Sequence, residues 1–324
     1  MTQLIDSNSR TQDEIRRLAV DRGNSLNLDR VLVPLNGYRR SEQVLPFVSM
    51  LADWFGGEIT LFHSLPPTHP ARGARPGQVH YPDAPHDRGT SLAAAYLEEV
   101  VSRLGPHGVK SRWGIATGDA SSMIASRSAT SSFGMVAVAT TARSRAHRFF
   151  SPGLLDNLWR TTSVPLLLVN PHHATLNGAP PLVPKTIIVP CTRGSADFAL
   201  PIASALAGAS KSNVKVVLDR STSSGGVEDE LSTMFTADGI HVEIEQGDKN
   251  LSKQVLDIQS QNPGSWIVSG SKMRSGLVRS VLGSFTDNIA RQAIGPIVVV
   301  PDPKLTRQRK RSAHNATRDL AVSQ

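Results

Sequence analysis

The sequence predicts an α/β protein of two doubly wound, five-stranded parallel sheets in tandem, and three observations carry that prediction. At 324 residues the chain exceeds the usual size of one core. Its segments repeat. Val31-Leu-Val-Pro34, Leu45-Pro46 and Leu51-Ala52 are echoed by Ile187-Ile-Val-Pro190, Leu200-Pro201 and Leu206-Ala207, and Pro165-Leu-Leu-Leu-Val169 closes one copy as Pro296-Ile-Val-Val-Val300 closes the other. Self-similarity on this scale marks stacked units of one architecture. Within each copy, short β-branched runs alternate with longer stretches of helical spacing, and parallel neighbours need such crossovers.

The elements follow in order. Residues 1–29 read as a flexible arm: Met1 to Leu28 holds four acidic and four basic residues and lacks the apolar core of a secretory signal. The first unit spans 30–170. Its segment 66–89, dense in Pro, Gly and His, reads as a long surface loop. Four prolines make 171–184 the linker. The second unit spans 185–301, with strands expected at Thr186–Pro190, Val214–Leu218, His241–Glu245, Trp266–Ser269 and Pro296–Val300. Helices are expected at Ser195–Ala209, Val227–Thr236, Leu251–Ser260 and Phe285–Ala293. Residues 302–324 read as a basic, disordered tail.

Composition bounds the function. With 39% hydrophobic and 19% charged residues the chain is globular. No apolar run approaches the ~20 residues a membrane span needs. A single cysteine, Cys191, excludes an internal disulfide and a cysteine-clustered zinc site, and fits a reducing, cytoplasmic setting. Of the formal charge of +8, half lies in the tail, where six basic residues face Asp302 and Asp319. A weak contact of the tail with nucleic acid or an anionic surface is the implied partner class.

The stretch Gly270 to Ser284 carries the one site-like pattern. Gly270 follows a strand-like run at the sheet edge where open parallel sheets collect ligands. Its lack of a side chain lets backbone approach an anion. Gly283-Ser284 precedes a helical run, so its amides face outward at a helix N-terminus, where partial positive charge favours phosphate. Lys272, Arg274 and Arg279 add charge. The plainer reading stays open: a glycine turn and an ordinary serine N-cap, worth about 1 kcal/mol with no ligand present.

Taken together, strand-Pro, Leu-Pro on the first helix, Gly118-Asp119 and Gly247-Asp248 after the third strands, and the terminal loop resemble the universal stress proteins in a tandem form. The resemblance spans Arg30 to Pro301 and implies the Rossmann-like, adenine nucleotide alpha hydrolase-like fold. It further implies domains joined through their last strands, within one chain or in a homodimer, and a stress-response role. In many members it implies ATP, with magnesium, held by Gly-x2-Gly-x9-Gly-Ser/Thr. Here that pattern falls on Gly270, Met273, Gly283 and Ser284, with Arg274 supplying charge, so a methionine replaces the second glycine. Thr192 stands where the family places an acid against adenosine. In the first unit Asn36 replaces that acid, and the loop Thr140-Thr-Ala-Arg143 followed by Gly153-Leu154 keeps one glycine, leaving a weak or degenerate site around Asn36, Arg143 and Gly153.

No catalytic constellation emerges, so the expectation is a non-enzyme, with any ATP hydrolysis slow and incidental. His69, His80 and His86 fall in the loop and His172-His173 in the linker, neither group with metal-binding spacing, and His63 reads as a packed or capping residue. Neither a Gly-x-Ser-x-Gly elbow nor a phosphate-binding-loop NTPase motif is present. Cys191 reads as a small buried hydrophobe or, alternatively, a redox-sensitive thiol. Asp219 reads as a ribose-binding carboxylate or a surface residue opening a loop. The competing function is a nucleotide-free interaction module acting through loop 66–89 or the tail.

Overall fold

The computed structural model describes residues 25–67, 84–140, 154–170, 183–192, 196–220, 226–271 and 284–322. Ten strands form one continuous sheet in the order β3-β2-β1-β4-β5-β10-β9-β6-β7-β8. The first five are Arg30–Pro34, Glu58–Leu65, Lys110–Thr117, Met135–Ala139 and Leu166–Val169. The second five are Thr186–Cys191, Asn213–Leu218, Val242–Gln246, Trp266–Ser271 and Ile297–Pro301. Each half is wholly parallel and has the same internal order. The halves meet where β5 and β10 pair antiparallel, Leu167 facing Val298. The two expected sheets are thus fused edge to edge through their last strands, which removes two exposed edges at once.

Alternation along the buried strands sorts side chains onto two faces. Val31, Val33, Val189, Trp266, Val268 and Val298 belong to one core, whereas Leu32, Ile188, Ile267, Leu168 and Val299 belong to the other. The first core is covered by α2 (Leu45–Phe55), α3 (Ala84–Leu104), α6 (Ala196–Ser210) and α7 (Val227–Ala237), a short α1 (Arg39–Glu42) leading into α2. The second is covered by α4 (Ala120–Thr130), α5 (Leu154–Thr161), α8 (Leu251–Gln261) and α9 (Ser284–Gln292). Helices on both faces of continuous apolar strands are what a buried parallel sheet requires.

The repeated Leu-Pro is used in two ways. Pro46 lies at the start of α2, where the missing N–H costs nothing, and the chain breaks between α1 and α2. Pro201 sits inside α6, which runs on through it. The repeated Gly-Asp is used alike in both halves: Gly118 N donates to Leu65 O at 2.8 Å and Gly247 N to Leu218 O at 2.6 Å. Each glycine ties the turn after the third strand to the carboxyl end of the second. A Cβ at Gly247 would stand 2.6 Å from the Leu218 carbonyl oxygen.

Three expectations need correction. The arm ends earlier than residue 29, because Leu28 is buried in the first core and Asn27 O accepts Arg30 N. The end of segment 66–89 is helical from Ala84, where the apolar spacing of α3 takes over; residues 68–83 lie outside the described residues. Most consequentially, the tail folds into α10 (Pro303–Val322). Asp302 caps it, its Oδ1 accepting Lys304 N at 2.7 Å, and Pro303 has the preset φ of a first helical residue. Lys, Arg, Gln, Leu and Ala are good helix formers, and Leu305 and Arg309 bring one face of α10 against Trp159, Val164 and Leu166. The linker residues 171–182 lie outside the described residues.

The joint has approximate two-fold character. Arg309 Nη1 donates to Thr162 O at 2.6 Å, just past α5, while Asn170 Nδ2 donates to Ala293 O at 3.5 Å, just past α9. Each half caps the last helix of the other.

Candidate nucleotide site

In the second half the chain winds from β6 outward to β7 and β8, then returns to β9 on the other side of β6. The strand order therefore reverses between β6 and β9, where open α/β sheets form a crevice. The register shows it opening: β6 and β9 pair at Ile187↔Trp266 and Ile188↔Ile267, and no further rung joins them. Beyond these rungs β6 continues to Cys191 and β9 to Ser271. Counting onward places Cys191 level with Gly270 and Thr192 level with Ser271.

Thr192 and Gly270 thus share one carboxyl edge, Thr192 half-buried and Gly270 buried. Ser284 opens α9, whose N-terminus faces the same edge because the helix returns the chain to the start of β10. Met273, Arg274 and Gly283 lie outside the described residues, as does the side chain of Ser284. Asp219 is half-buried at the end of β7, and its N–H donates to Cys191 O at 2.9 Å, which ties the end of β6 to β7 on the side away from β9. Cys191 is fully buried in the first core, as expected of a small hydrophobe.

Two serines flank Gly270, and the expected site did not include them. Ser269 is buried, and its Oγ has no hydrogen-bond partner among the described residues. A buried unpaired hydroxyl carries a desolvation cost of about 1–3 kcal/mol, so one beside a crevice is a donor in reserve. Ser271, also buried, lines a cavity of about 10 Å³ with Trp159, Pro301 and Arg309, beneath α10. The signal lay in the sequence as Ser-Gly-Ser at a strand's end, where two hydroxyls interrupt an otherwise apolar run.

The first unit repeats the geometry with other chemistry. β1 and β4 also pair at two rungs, Val31↔Met135 and Leu32↔Val136, and then part. By this register the counterpart of Gly270 is Ala139, one residue before the Thr140 that the loop pattern suggests. The pattern counts back from Gly153, whereas the register counts forward from the strand, and the loop holds one extra residue. Val138 occupies the place of Ser269, so a methyl and an isopropyl group replace a bare backbone and a hydroxyl. Asn36 is committed locally, its Oδ1 accepting Tyr38 N at 3.2 Å. His63 Nδ1 lies 2.8 Å from Leu35 O, so that nitrogen carries the proton and the ring braces the end of β1. Arg143 and Gly153 lie outside the described residues.

A larger hollow, of about 1120 Å³, lies away from both crevices, along α2 and α3. Glu42 crosses it, accepting from Tyr96 at 3.0 Å and from Arg103 at 2.6 Å. Burial, reinforced by Glu42, pushes the Tyr96 phenol above its usual range. This trio braces α1 against α3 and offers no group at a strand end. Among the described residues no three His, Cys, Asp or Glu side chains are grouped to hold a metal ion.

Comparison with known proteins agrees with this architecture. The profile of the Universal stress protein family matches twice, over residues 27–170 and 187–301. The chain belongs to the universal stress protein family. It carries two domains of that family in series. Its fold is shared with a universal stress protein from Archaeoglobus fulgidus DSM 4304, at 18% identity and TM-score 0.65 over 84% of this chain and 98% of that one. A functionally unknown protein from Pseudomonas aeruginosa PAO1 matches at 13% identity and TM-score 0.62, over 90% and 99% of the two chains. A putative universal stress protein from Pseudomonas aeruginosa UCBPP-PA14 matches at 13% identity and TM-score 0.60, over the same shares. At such identities the likeness speaks for the fold. No curated protein matches the chain. Among the described residues, no helix is long and apolar enough to cross a membrane.

Proposed function

We propose that this universal stress protein is a cytoplasmic, non-catalytic regulator in a stress response, whose second domain binds ATP or another adenine nucleotide while its first domain serves as scaffold. The observation that carries the reading is the parting of β6 and β9 after two rungs, with a bare Gly270, an unpaired Ser269 hydroxyl and the N-terminus of α9 around one edge. Backbone donors at a helix N-terminus beside the carboxyl end of a strand suit an anion.

In this reading the amides of Gly270, Gly283 and Ser284 hold phosphate oxygens, the Ser284 hydroxyl adds a donor and Arg274 adds charge. Thr192 hydrogen-bonds the nucleoside. Magnesium would come with the nucleotide and offset part of its phosphate charge. Among the described residues at this edge none pairs a base with a nucleophile, which favours a nucleotide held rather than consumed. Across the sheet the first domain presents Ala139 and Val138 where the second presents Gly270 and Ser269, and Asn36 is spent on its own turn. That contrast favours one nucleotide per chain.

Mass spectrometry of small molecules released from gently purified protein tests the proposal. Recovery of an adenine nucleotide near one equivalent per chain is expected. Nucleotide-free protein that takes none up on incubation with millimolar ATP and magnesium would leave the interaction module as the function.

A further inference from the structure

We propose that α10 is a docking face for the phosphate backbone of duplex nucleic acid. One side of the helix is spent on the protein. Leu305 and Arg309 lie against Trp159, Val164 and Leu166 of the first domain, and Arg309 Nη1 donates to Thr162 O at 2.6 Å. The other side carries Lys304, Arg307 and Arg311, all exposed, at spacings of three and four residues that align them in one row. With Gln308, Ser312 and Asn315 they line a shallow concavity of about 310 Å³.

Like charges so spaced repel and weaken a helix. Among the described residues none of these three cations has a carboxylate partner, and the nearby Asp302 spends Oδ1 on the Lys304 amide. The row is therefore an uncompensated positive edge on a helix held fixed by its other face, and a polyanion relieves it.

The chemistry of the row selects among polyanions. Helices that lie on membranes insert a free apolar face, whereas Leu305 of α10 already lies against the first domain and the exposed row is polar throughout. Single-stranded nucleic acid is held largely by stacking on aromatic rings, and the outward residues of the row include none. A duplex needs only cations. It offers one negative charge per ~1.7 Å of axis, and Lys304 to Arg311 extends about 10 Å along the helix, enough to meet phosphates with all three side chains. Three cations in one row on one face meet backbone phosphates, a contact independent of base sequence.

The test is fluorescence anisotropy of a labelled 20-base-pair DNA duplex with the full chain and with the triple variant Lys304→Gln, Arg307→Gln, Arg311→Gln, whose exposed substitutions leave the fold intact by circular dichroism. With three phosphates neutralised, raising salt from about 50 to about 200 mM weakens binding about 40-fold. The triple variant loses the interaction at both salts. Equal binding by the variant, or no binding at the lower salt, overturns the proposal. So does capture by phosphatidylglycerol vesicles under conditions where the duplex stays free. Nucleotide retention is untouched by these substitutions, so this result and that for ATP are read separately.

Discussion

Trp54 of the first domain and Trp266 of the second pack with ring centroids 5.5 Å apart and planes tilted by 46°, and Phe47 closes on Trp266 from 6.1 Å. Trp266 is fully buried although it stands at the start of β9, the strand that ends in Gly270. The joint between the domains is therefore a shared core as well as a shared sheet, because α2 of one half lies on a strand of the other.

Trp266→Ala should cost about 3–5 kcal/mol, the usual range for emptying a buried aromatic site. The loss should appear in both halves together, as a single transition in urea followed by far-ultraviolet circular dichroism. Trp266→Phe keeps the ring contact and removes an indole N–H that has no partner among the described residues, so it should cost less. Two separate transitions in the wild type would show that the halves are not coupled through this cluster.

Asp119 caps α4, its carboxylate accepting from the Ser121 hydroxyl and from the Ser122 amide at 2.9 Å. These bonds, that from the Ser121 hydroxyl foremost, hold the carboxyl below its usual range. A depressed folded pKa stabilises above the unfolded value of about 3.9 and is lost as pH falls through the folded value. Asp119→Ala should thus cost about 1 kcal/mol at neutral pH, as caps do, with the difference from wild type shrinking below about pH 4. Asp119→Asn, which still caps, should remove that pH dependence at little cost. Denaturation midpoints across pH measure both.

Arg309 is the anchor of α10, and burial draws its guanidinium below the ordinary arginine range. Arg309→Ala removes the bond to Thr162 O and the packing on Trp159. The expected result is tryptic cleavage within 303–322 at least tenfold faster, with the midpoint of global unfolding almost unchanged. Equal cleavage rates would show that Leu305 and the rest of the face hold the helix unaided.

Much of this fold was legible in the sequence, and the residues show why. The strands of the second domain begin and end within two residues of their expected places, because β-branched apolar runs such as Ile187-Ile-Val189 mark them, although β6 continues through Pro190 and β9 through Gly270. The fate of the tail was not legible, since Arg309 reads as one more solvated charge until Trp159 and Thr162 are beside it. Local composition carries no record of a distant partner. Gly270 stands out from its place after a strand, whereas Ser269 shows in the sequence only as a hydroxyl interrupting an apolar run. Its hydroxyl matters only because the folded core leaves it unpaired. The one-residue difference between Ala139 and Thr140 has a similar origin, for loop spacing is a weaker ruler than strand register.

Thr192→Asp restores a carboxylate at the carboxyl end of β6, level with Ser271 across the crevice. A charged hydrogen bond to the nucleoside in place of a neutral one is worth about 1 kcal/mol more, so ATP affinity should rise about fivefold to tenfold. Competition against a fluorescent adenine nucleotide reads the change. Weaker binding would show that the nucleoside does not lie against residue 192.

The central claim is that the second domain alone retains a nucleotide site. Isothermal titration of ATP with magnesium into nucleotide-free full-length protein tests it most directly, run in parallel on Gly283→Ala. The account predicts a stoichiometry of one per chain, with affinity lowered at least tenfold in the variant. Absence of heat at millimolar nucleotide, two equivalents per chain, or an isotherm unchanged by Gly283→Ala would contradict it.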